Sequence, residues 1–189
     1  WEGAVNLFIL AVKQDVEKAE IYYWTKVGKN NESIRGILTI LASHHQKEKN
    51  YDKACLFYKE LASVFPDNLS YLVSRAEMEL FSGEEEEALN TYGKILKIDP
   101  NNLQANIFMG NYYFLQAENA KKKLEWDYRR LSSPTRMQYA NYRDKLSEVY
   151  TTDYVKAQVY LRNVVEQFSS HEAKLILAKI EKIKKDANK

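Results

Sequence analysis

The sequence is short of turn-forming residues, with 6 glycines and 3 prolines among 189 residues. Sheet proteins need many tight turns, which glycine and proline usually supply, so this scarcity argues against all-β folds and favours long helices. Cysteine is nearly absent as well. Because Cys55 stands alone, an intramolecular disulfide is excluded, although a single cysteine does not fix the cellular compartment.

A strong charge of one sign is also missing, since 28 Lys and Arg face 26 Asp and Glu for a net charge of +2. This balance gives no electrostatic reason to expect nucleic-acid binding. The longest apolar run, Ala4 to Val12, is far too short to span a bilayer. Because the chain begins at Trp1 rather than Met, we expect a fragment or a processed form, and localisation stays unassigned.

What the sequence does contain is an internal repeat. Hydrophobic residues make up 45% and charged residues 29%, a globular composition. Within it, similar residues recur at a spacing of 34, and an Asn follows each of two prolines two positions later. The matched pairs are Pro66 with Pro100, Ala54 with Ala88, Tyr58 with Tyr92, and Ala42 with Ala76.

Each period divides into two helices. Apolar residues recur every three or four positions from Ile34 to His45, and "KEKNYD" then breaks the pattern before a second run from Ala54 to Phe65. Pro66 ends that run, because proline cannot donate to a helix and clashes with the preceding turn. The second period repeats this order, with a turn at Ser82-Gly83 and an end at Asp99-Pro100.

The run of four glutamates, Glu84 to Glu87, follows Gly83 directly. Acidic side chains at a helix N-terminus are stabilised by the exposed backbone amides and the helix dipole. We therefore interpret the run as the first turn of a helix. A metal site would need further ligands converging from elsewhere, and the sequence does not indicate any.

This pattern resembles the tetratricopeptide repeat (TPR), in which a helix pair carries small residues where helices approach closely and large residues where they interlock. The resemblance is specific over Arg35 to Asn102, and it implies an all-α fold: an α-α superhelix, or solenoid, of antiparallel helix pairs. His45, Arg75 and Glu79 depart from it, since the family has aromatic or apolar residues there. Arg75 and Glu79 are four apart, so they either pair with each other or face solvent.

We predict one TPR-like domain over 1–189, with an irregular first repeat whose helices run from Ala4 to Lys13 and from Val16 to Val27, ending at Gly28. One continuous helix is the alternative for that stretch. The third repeat is split by an off-phase helical segment, predicted as an antiparallel hairpin with Ser133 as N-cap and Pro134 as first helical residue. The boundaries are 1–34, 35–68, 69–102 and 103–171 for the repeats, about 116–152 for the hairpin, and 172–189 for a capping helix.

Residues able to carry chemistry are few and scattered. His44, His45 and His171 lack the spacing of zinc ligands, and Cys55 sits beside a close-packing alanine, as a buried residue would. The sequence has no glycine-rich phosphate loop. The segment "KKKLEWDYRR" mixes cations with aromatics, but its acids oppose nucleic-acid binding. We therefore expect no enzyme, cofactor, metal site or nucleic-acid partner.

The function that the resemblance implies is a non-catalytic protein-interaction scaffold, which binds a peptide or protein segment in a concave groove lined by the first helix of each pair. Thr39 and Ser43 stand where the family's clamp for chaperone tails needs Lys and Asn, which disfavours that ligand class. By the resemblance, the groove-facing positions are Thr39, Ser43, Gln46, Val73, Glu77, Leu80, Ile107, Asn111 and Phe114.

The alternative is a structural assembly module. In that case the hairpin would contact a copy of itself or a larger complex through an apolar strip. The predicted strip consists of Leu124, Tyr128, Leu131, Met137 and Tyr142.

Overall fold

The computed structural model describes residues 2–26 and 32–187, and in these ranges every regular element is helical. The prediction of an all-α fold of antiparallel helix pairs is confirmed. A π-helical turn, Tyr150–Tyr154, joins the eighth helix to the ninth. The α-helices are α1 Glu2–Gln14, α2 Val16–Lys26, α3 Glu32–Lys47, α4 Tyr51–Val64, α5 Leu69–Phe81, α6 Glu85–Ile98, α7 Leu103–Arg129, α8 Arg136–Val149, α9 Val155–Gln167 and α10 His171–Ala187.

The helices form two compact units, unit 1 over Trp1–Pro100 and unit 2 over Asn101–Lys189. In unit 1 the small residues of the 34-residue period lie where helices meet. Ala42, Ala54, Ala76 and Ala88 are all fully buried. Tyr58 and Tyr92 are buried beside them, so the small and large positions pack as the tetratricopeptide resemblance implies, and that resemblance is confirmed.

The repeated proline and asparagine mark consecutive helix boundaries. The backbone leaves the helical conformation at Phe65 and Asp99, the residues before Pro66 and Pro100. Asn68 then caps α5 by accepting a hydrogen bond from the Tyr71 amide at 3.2 Å. Asn102 caps α7 in the same way, accepting from the Ala105 amide at 3.1 Å.

The glutamate run lies where the sequence predicts. Gly83 has φ of 79°, a left-handed conformation that glycine adopts without strain, and α6 begins two residues later. Glu85, Glu86 and Glu87 occupy its first turn. Glu84 has a more specific role, because its carboxylate accepts a hydrogen bond from Lys59 of α4 and so ties two helices together.

The N-terminal stretch forms two helices rather than one. The chain breaks at Asp15, whose carboxylate accepts a hydrogen bond from the Lys18 amide at 3.1 Å and starts α2. Ala19 and Tyr23 of α2 are buried, and Tyr23 packs edge-on against Phe57 of α4. The predicted stop at Gly28 lies outside the described residues.

Unit 2 contains the predicted hairpin. Helix α7 runs for 27 residues, and its C-terminal part pairs with α8 through the stacked rings of Tyr128 and Tyr142, 4.5 Å apart. The predicted start of α8 was wrong. Thr135, not Ser133, is the N-cap, because Thr135 and Gln138 form a reciprocal capping box that places the first helical residue at Arg136.

The main core of unit 2 lies between α7 and α9. Gly110 of α7 and Leu161 of α9 are in close contact, since a Cβ on Gly110 would lie 2.9 Å from the Leu161 side chain. Tyr113 of α7 stacks on Tyr160 of α9. Ala157 and Val164 of α9 are buried, and α10 adds the buried Ala173 and Ile180.

This close contact gives a stability prediction with a matched control. Gly93 lies in the interior of α6, and nothing is within 4 Å of its added Cβ. Gly93→Ala should stabilise the chain by about 0.5–1 kcal/mol, since alanine is the better helix former. Gly110→Ala gains the same preference but forces the buried Leu161 to move, so it should be less stable than Gly93→Ala by about 1–3 kcal/mol. Urea denaturation of both variants measures the difference, and equal stabilities would contradict the contact.

Candidate functional site

The predicted groove residues of unit 1 lie on the first helix of two successive pairs. On α5, Val73, Glu77 and Leu80 are spaced by four and three residues, so they share one face, and all three are partly buried. Leu72 and Ala76, which border this face, are buried, and the helix packs against both α4 and α6. The face of Val73, Glu77 and Leu80, named here the α5 face, is therefore fixed in place by neighbours on either side.

Glu77 is the ionisable group of the α5 face. Burial raises the pKa of its carboxyl above the ordinary value. Among the described residues, the structure gives Glu77 neither a hydrogen bond nor an ion pair within reach of its carboxylate. Tyr92 of α6 is close enough for the charge on Glu77 to act on it, and burial raises the pKa of Tyr92 to about 12, so this tyrosine stays neutral.

On α3 the predicted groove positions are polar, and two of them make hydrogen bonds within the chain. Thr39 donates its hydroxyl to the carbonyl of Arg35 at 2.7 Å, and Gln46 accepts a hydrogen bond from the Tyr58 hydroxyl at 2.9 Å. Ser43 is partly buried between them. Arg35 connects α3 to α5, since its Nε donates to the Tyr71 hydroxyl at 2.7 Å.

In unit 2 the predicted groove residues lie on α7. Ile107 is 41% exposed, and Asn111 is partly buried. Phe114 is half-buried against the core of unit 2, where its ring lies 6.2 Å from that of Tyr154 and 5.0 Å from the ammonium of Lys179. Its ring therefore contributes to packing whether or not it also contacts a partner.

Behind the α5 face lies a buried polar network that the sequence indicated in part. Glu79 is fully buried and accepts hydrogen bonds from Arg75 Nε and from the Thr91 hydroxyl, each at 2.7 Å. The expected pairing of Arg75 with Glu79 is thus confirmed, and a solvent-facing Glu79 is excluded. His45, 34 residues before Glu79, is also buried and lies 2.7 Å from a Glu20 carboxylate oxygen.

Cys55, Glu79 and Glu84 have side-chain ligand atoms within 4.8 Å of one another. Three features make this cluster a packed polar core rather than a binding site. Arg75 holds Glu79, Lys59 holds Glu84, and burial raises the pKa of the Cys55 thiol to about 11, so the thiolate that a metal prefers is disfavoured. The prediction that Cys55 is a buried residue is confirmed.

The hairpin presents a second surface. Every residue of α8 is at least partly exposed, Met137 by 83%, and Trp126 of α7 is 58% exposed with Arg130 stacked over its ring. A cleft of about 250 Å³ opens between the two helices. We call the exposed and partly exposed aromatic and apolar side chains here the hairpin surface: Trp126, Tyr128, Leu131, Met137, Tyr139 and Tyr142.

Several of these features could not be read from spacing. The bond from Thr91 to Glu79, the ion pair of Lys59 with Glu84 and the stacking of Trp126 on Arg130 each depend on tertiary placement or on rotamers. One signal was available, because His45 and Glu79 occupy the same position of consecutive repeats. A polar residue there in both repeats indicates a buried polar contact made twice.

In the ranges that the structure describes, none of the helices combines the length and the apolarity needed to cross a membrane. No protein-family model matches the sequence, and no curated protein matches it either.

Solved structures do show similarity. A protein from Bacteroides ovatus ATCC 8483, described as a "putative protein binding protein", is 49% identical, with a TM-score of 0.89 over 98% of this chain and 90% of that one. The MamA protein is 18% identical, with a TM-score of 0.43 over 83% and 91%. A thermophilic TPR protein of Thermus thermophilus, TTC0263, is also 18% identical, with a TM-score of 0.38 over 95% and 89%. Likenesses as distant as the last two say nothing about what this chain binds.

Proposed function

This chain belongs to the same family as the Bacteroides ovatus protein, and on that premise we propose that it is a non-catalytic scaffold that binds a segment of another protein. Protein binding in the relative's description supports the general role. The repeat architecture supports the mode, since α3 and α5 of unit 1 are the first helices of successive pairs and are linked by the Arg35–Tyr71 hydrogen bond. An extended or helical segment can lie along such a surface.

The observation that carries the proposal is the α5 face. Val73 and Leu80 expose part of their apolar surface on a helix that neighbours hold on both sides, and this rigid placement lowers the ordering cost of binding. Thr39 and Ser43 of α3 add polar groups. Apolar anchors in a water-excluding surface dominate affinity, while the polar rim adds less. In unit 2, Ile107, Asn111 and Phe114 are proposed to make contacts of the same kind.

The test begins with a partner isolated on the immobilised chain and identified by mass spectrometry. Leu80→Ala should weaken its binding about tenfold, because the substitution removes an apolar anchor. Leu56 is the matched control, since it is a leucine of unit 1 that is 46% exposed but lies on α4, the second helix of its pair. Leu56→Ala should bind as the unchanged chain does. Equal affinities for the Leu80 and Leu56 variants, measured by calorimetry, would count against the α5 face.

A second candidate function is assembly through the hairpin. The observation that favours it is the hairpin surface, which leaves Met137 and Trp126 uncovered in the described chain. Here the partner is a larger complex or another copy of the chain. Met137→Ala separates the two functions in the same assay: it should leave binding unchanged if the partner lies on the α5 face, and should weaken binding if the hairpin is the contact.

A further inference from the structure

Two glutamates two residues apart on α5 have opposite surroundings. Glu79 is fully buried, and its two oxygens accept hydrogen bonds from Arg75 and Thr91. Glu77 is partly buried and has no such donor among the described residues. Two cations of unit 1 are engaged with other carboxylates, Arg75 with Glu79 and Lys59 of α4 with Glu84. Of the two carboxylates, Glu79 therefore has a cationic partner within the chain, whereas Glu77 is left able to accept one from a bound partner.

The carboxylate of Glu77, unpaired among the described residues, lowers the stability of the folded chain. Partial burial removes water from the charged form of Glu77, and no internal donor replaces the lost hydrogen bonds, so ionised Glu77 destabilises the folded chain. A glutamine or an apolar residue would avoid that cost. Destabilising polar groups are commonly retained at binding sites, where a ligand supplies the missing contact.

We propose that Glu77 accepts a lysine or arginine side chain from the bound protein segment, with Val73 and Leu80 packing on the apolar residues that flank this basic residue. The inference rests on the proposed function and adds the chemistry of the partner to it. A basic group fits by charge complementarity, because Glu77 is the ionisable carboxyl of the α5 face and the predicted groove positions of α3, Thr39 and Ser43, carry no charge. An aliphatic stem of lysine or arginine also suits a carboxylate set between two apolar side chains.

Short random peptides displayed on phage and selected on the immobilised chain provide the test. The unchanged chain should select peptides with lysine or arginine at one position beside apolar residues. Glu77→Gln should bind the best of these about tenfold more weakly, because a charge-assisted hydrogen bond is lost. Glu77→Lys should reverse the preference and select aspartate or glutamate at that position.

Glu86→Lys is the matched control, since Glu86 is an exposed glutamate of unit 1 on α6 and the same charge is reversed there. Its selected peptides should equal those of the unchanged chain. The inference would be overturned if the unchanged chain selected peptides with no preference for lysine or arginine. It would also be overturned if Glu77→Lys selected the same peptides as the unchanged chain. If the selected peptides lack the basic preference but bind more weakly to Leu80→Ala, only the role of Glu77 is wrong and the α5 face remains the proposed binding site. If they are indifferent to Leu80→Ala, or if nothing is selected, both proposals fall.

Stability gives an independent readout. Since the pKa of Glu77 is raised in the folded chain, its ionisation costs stability above that raised pKa and costs nothing below the ordinary value of 4.5. Glu77→Gln should therefore raise the melting temperature at neutral pH, and the gain should vanish in acid. Tyr92, which stays neutral, and the Arg75–Glu79 pair are the other charged or titratable groups nearby, and the variant leaves both in place. A lower melting temperature at neutral pH would mean that Glu77 has a structural partner, and would overturn the inference.

Discussion

Replacing Arg75 with leucine should lower the unfolding free energy by about 3 kcal/mol, because it leaves the carboxylate of Glu79 buried with no cation beside it. Glu79 is wholly inaccessible to water, and Arg75 supplies one of its two hydrogen bonds. Thr91 would still donate the other, but a neutral hydroxyl cannot balance a buried negative charge. Urea denaturation followed by circular dichroism measures the loss.

The double variant Arg75→Leu/Glu79→Leu is the control. Removing both charges leaves an apolar pair of similar size, so most of the stability should return, as it does when buried ion pairs are replaced by hydrophobic residues. If the single variant is as stable as the unchanged chain, Glu79 must reach water or another donor, and the buried network described here would be wrong. If the double variant is as unstable as the single one, packing rather than charge sets the cost.

The fold could be predicted from sequence because its determinants are local or periodic. Ala54 and Ala88 recur 34 residues apart, and both are fully buried where the period places them. Pro66 and Pro100 end helices for covalent reasons that need no tertiary context. The predicted start of α8 was wrong because Ser133 and Thr135 are both residues that commonly cap helices. Only the reciprocal hydrogen bonds with Gln138 select Thr135.

The candidate site was less predictable from sequence. Helical spacing shows which residues share a face, but the hydrogen bonds and burial of those residues depend on side chains from neighbouring helices. The spacing of Val73, Glu77 and Leu80 predicts that they share a face. The spacing of Arg75 and Glu79 allows them to pair, but it cannot tell that Thr91 of α6 also donates to Glu79 while Glu77 has no donor among the described residues. Phe114 shows the same limit, because the sequence places it on the groove side while the structure packs its ring against Tyr154.

Replacing Tyr154 with alanine should lower the unfolding free energy by about 3–5 kcal/mol, the cost of emptying a large aromatic site in a packed core. Tyr154 is the last residue of the π-helical turn and is fully buried between α7 and α9, with Ala117, Ala157 and Leu161 in the same cluster. The surrounding residues should collapse only partly into the emptied site. Thermal and urea denaturation measure the loss.

Tyr154→Phe separates packing from hydrogen bonding. The Tyr154 hydroxyl donates to Glu118 at 2.6 Å, and Lys179 donates to the same carboxylate at 2.8 Å. Burial alone would raise the pKa of Glu118, but these two hydrogen bonds, with the charges of Lys179 and Lys121, outweigh it, and the pKa lies below its ordinary value. Tyr154→Phe keeps the ring and leaves Lys179 on Glu118, so it should cost only about 1–2 kcal/mol at neutral pH.

The cost of Tyr154→Phe should also depend on pH with a defined sign. A carboxyl whose pKa is lowered on folding contributes stability above its unfolded pKa and loses that contribution as pH falls through the folded value. The difference between Tyr154→Phe and the unchanged chain should therefore shrink in acid, while the larger cost of Tyr154→Ala, which reflects lost packing, should persist. If the phenylalanine variant were as unstable as the alanine variant, the hydroxyl rather than the ring would hold α9 against α7. If its cost did not change with pH, Glu118 would not be the group that the hydroxyl stabilises.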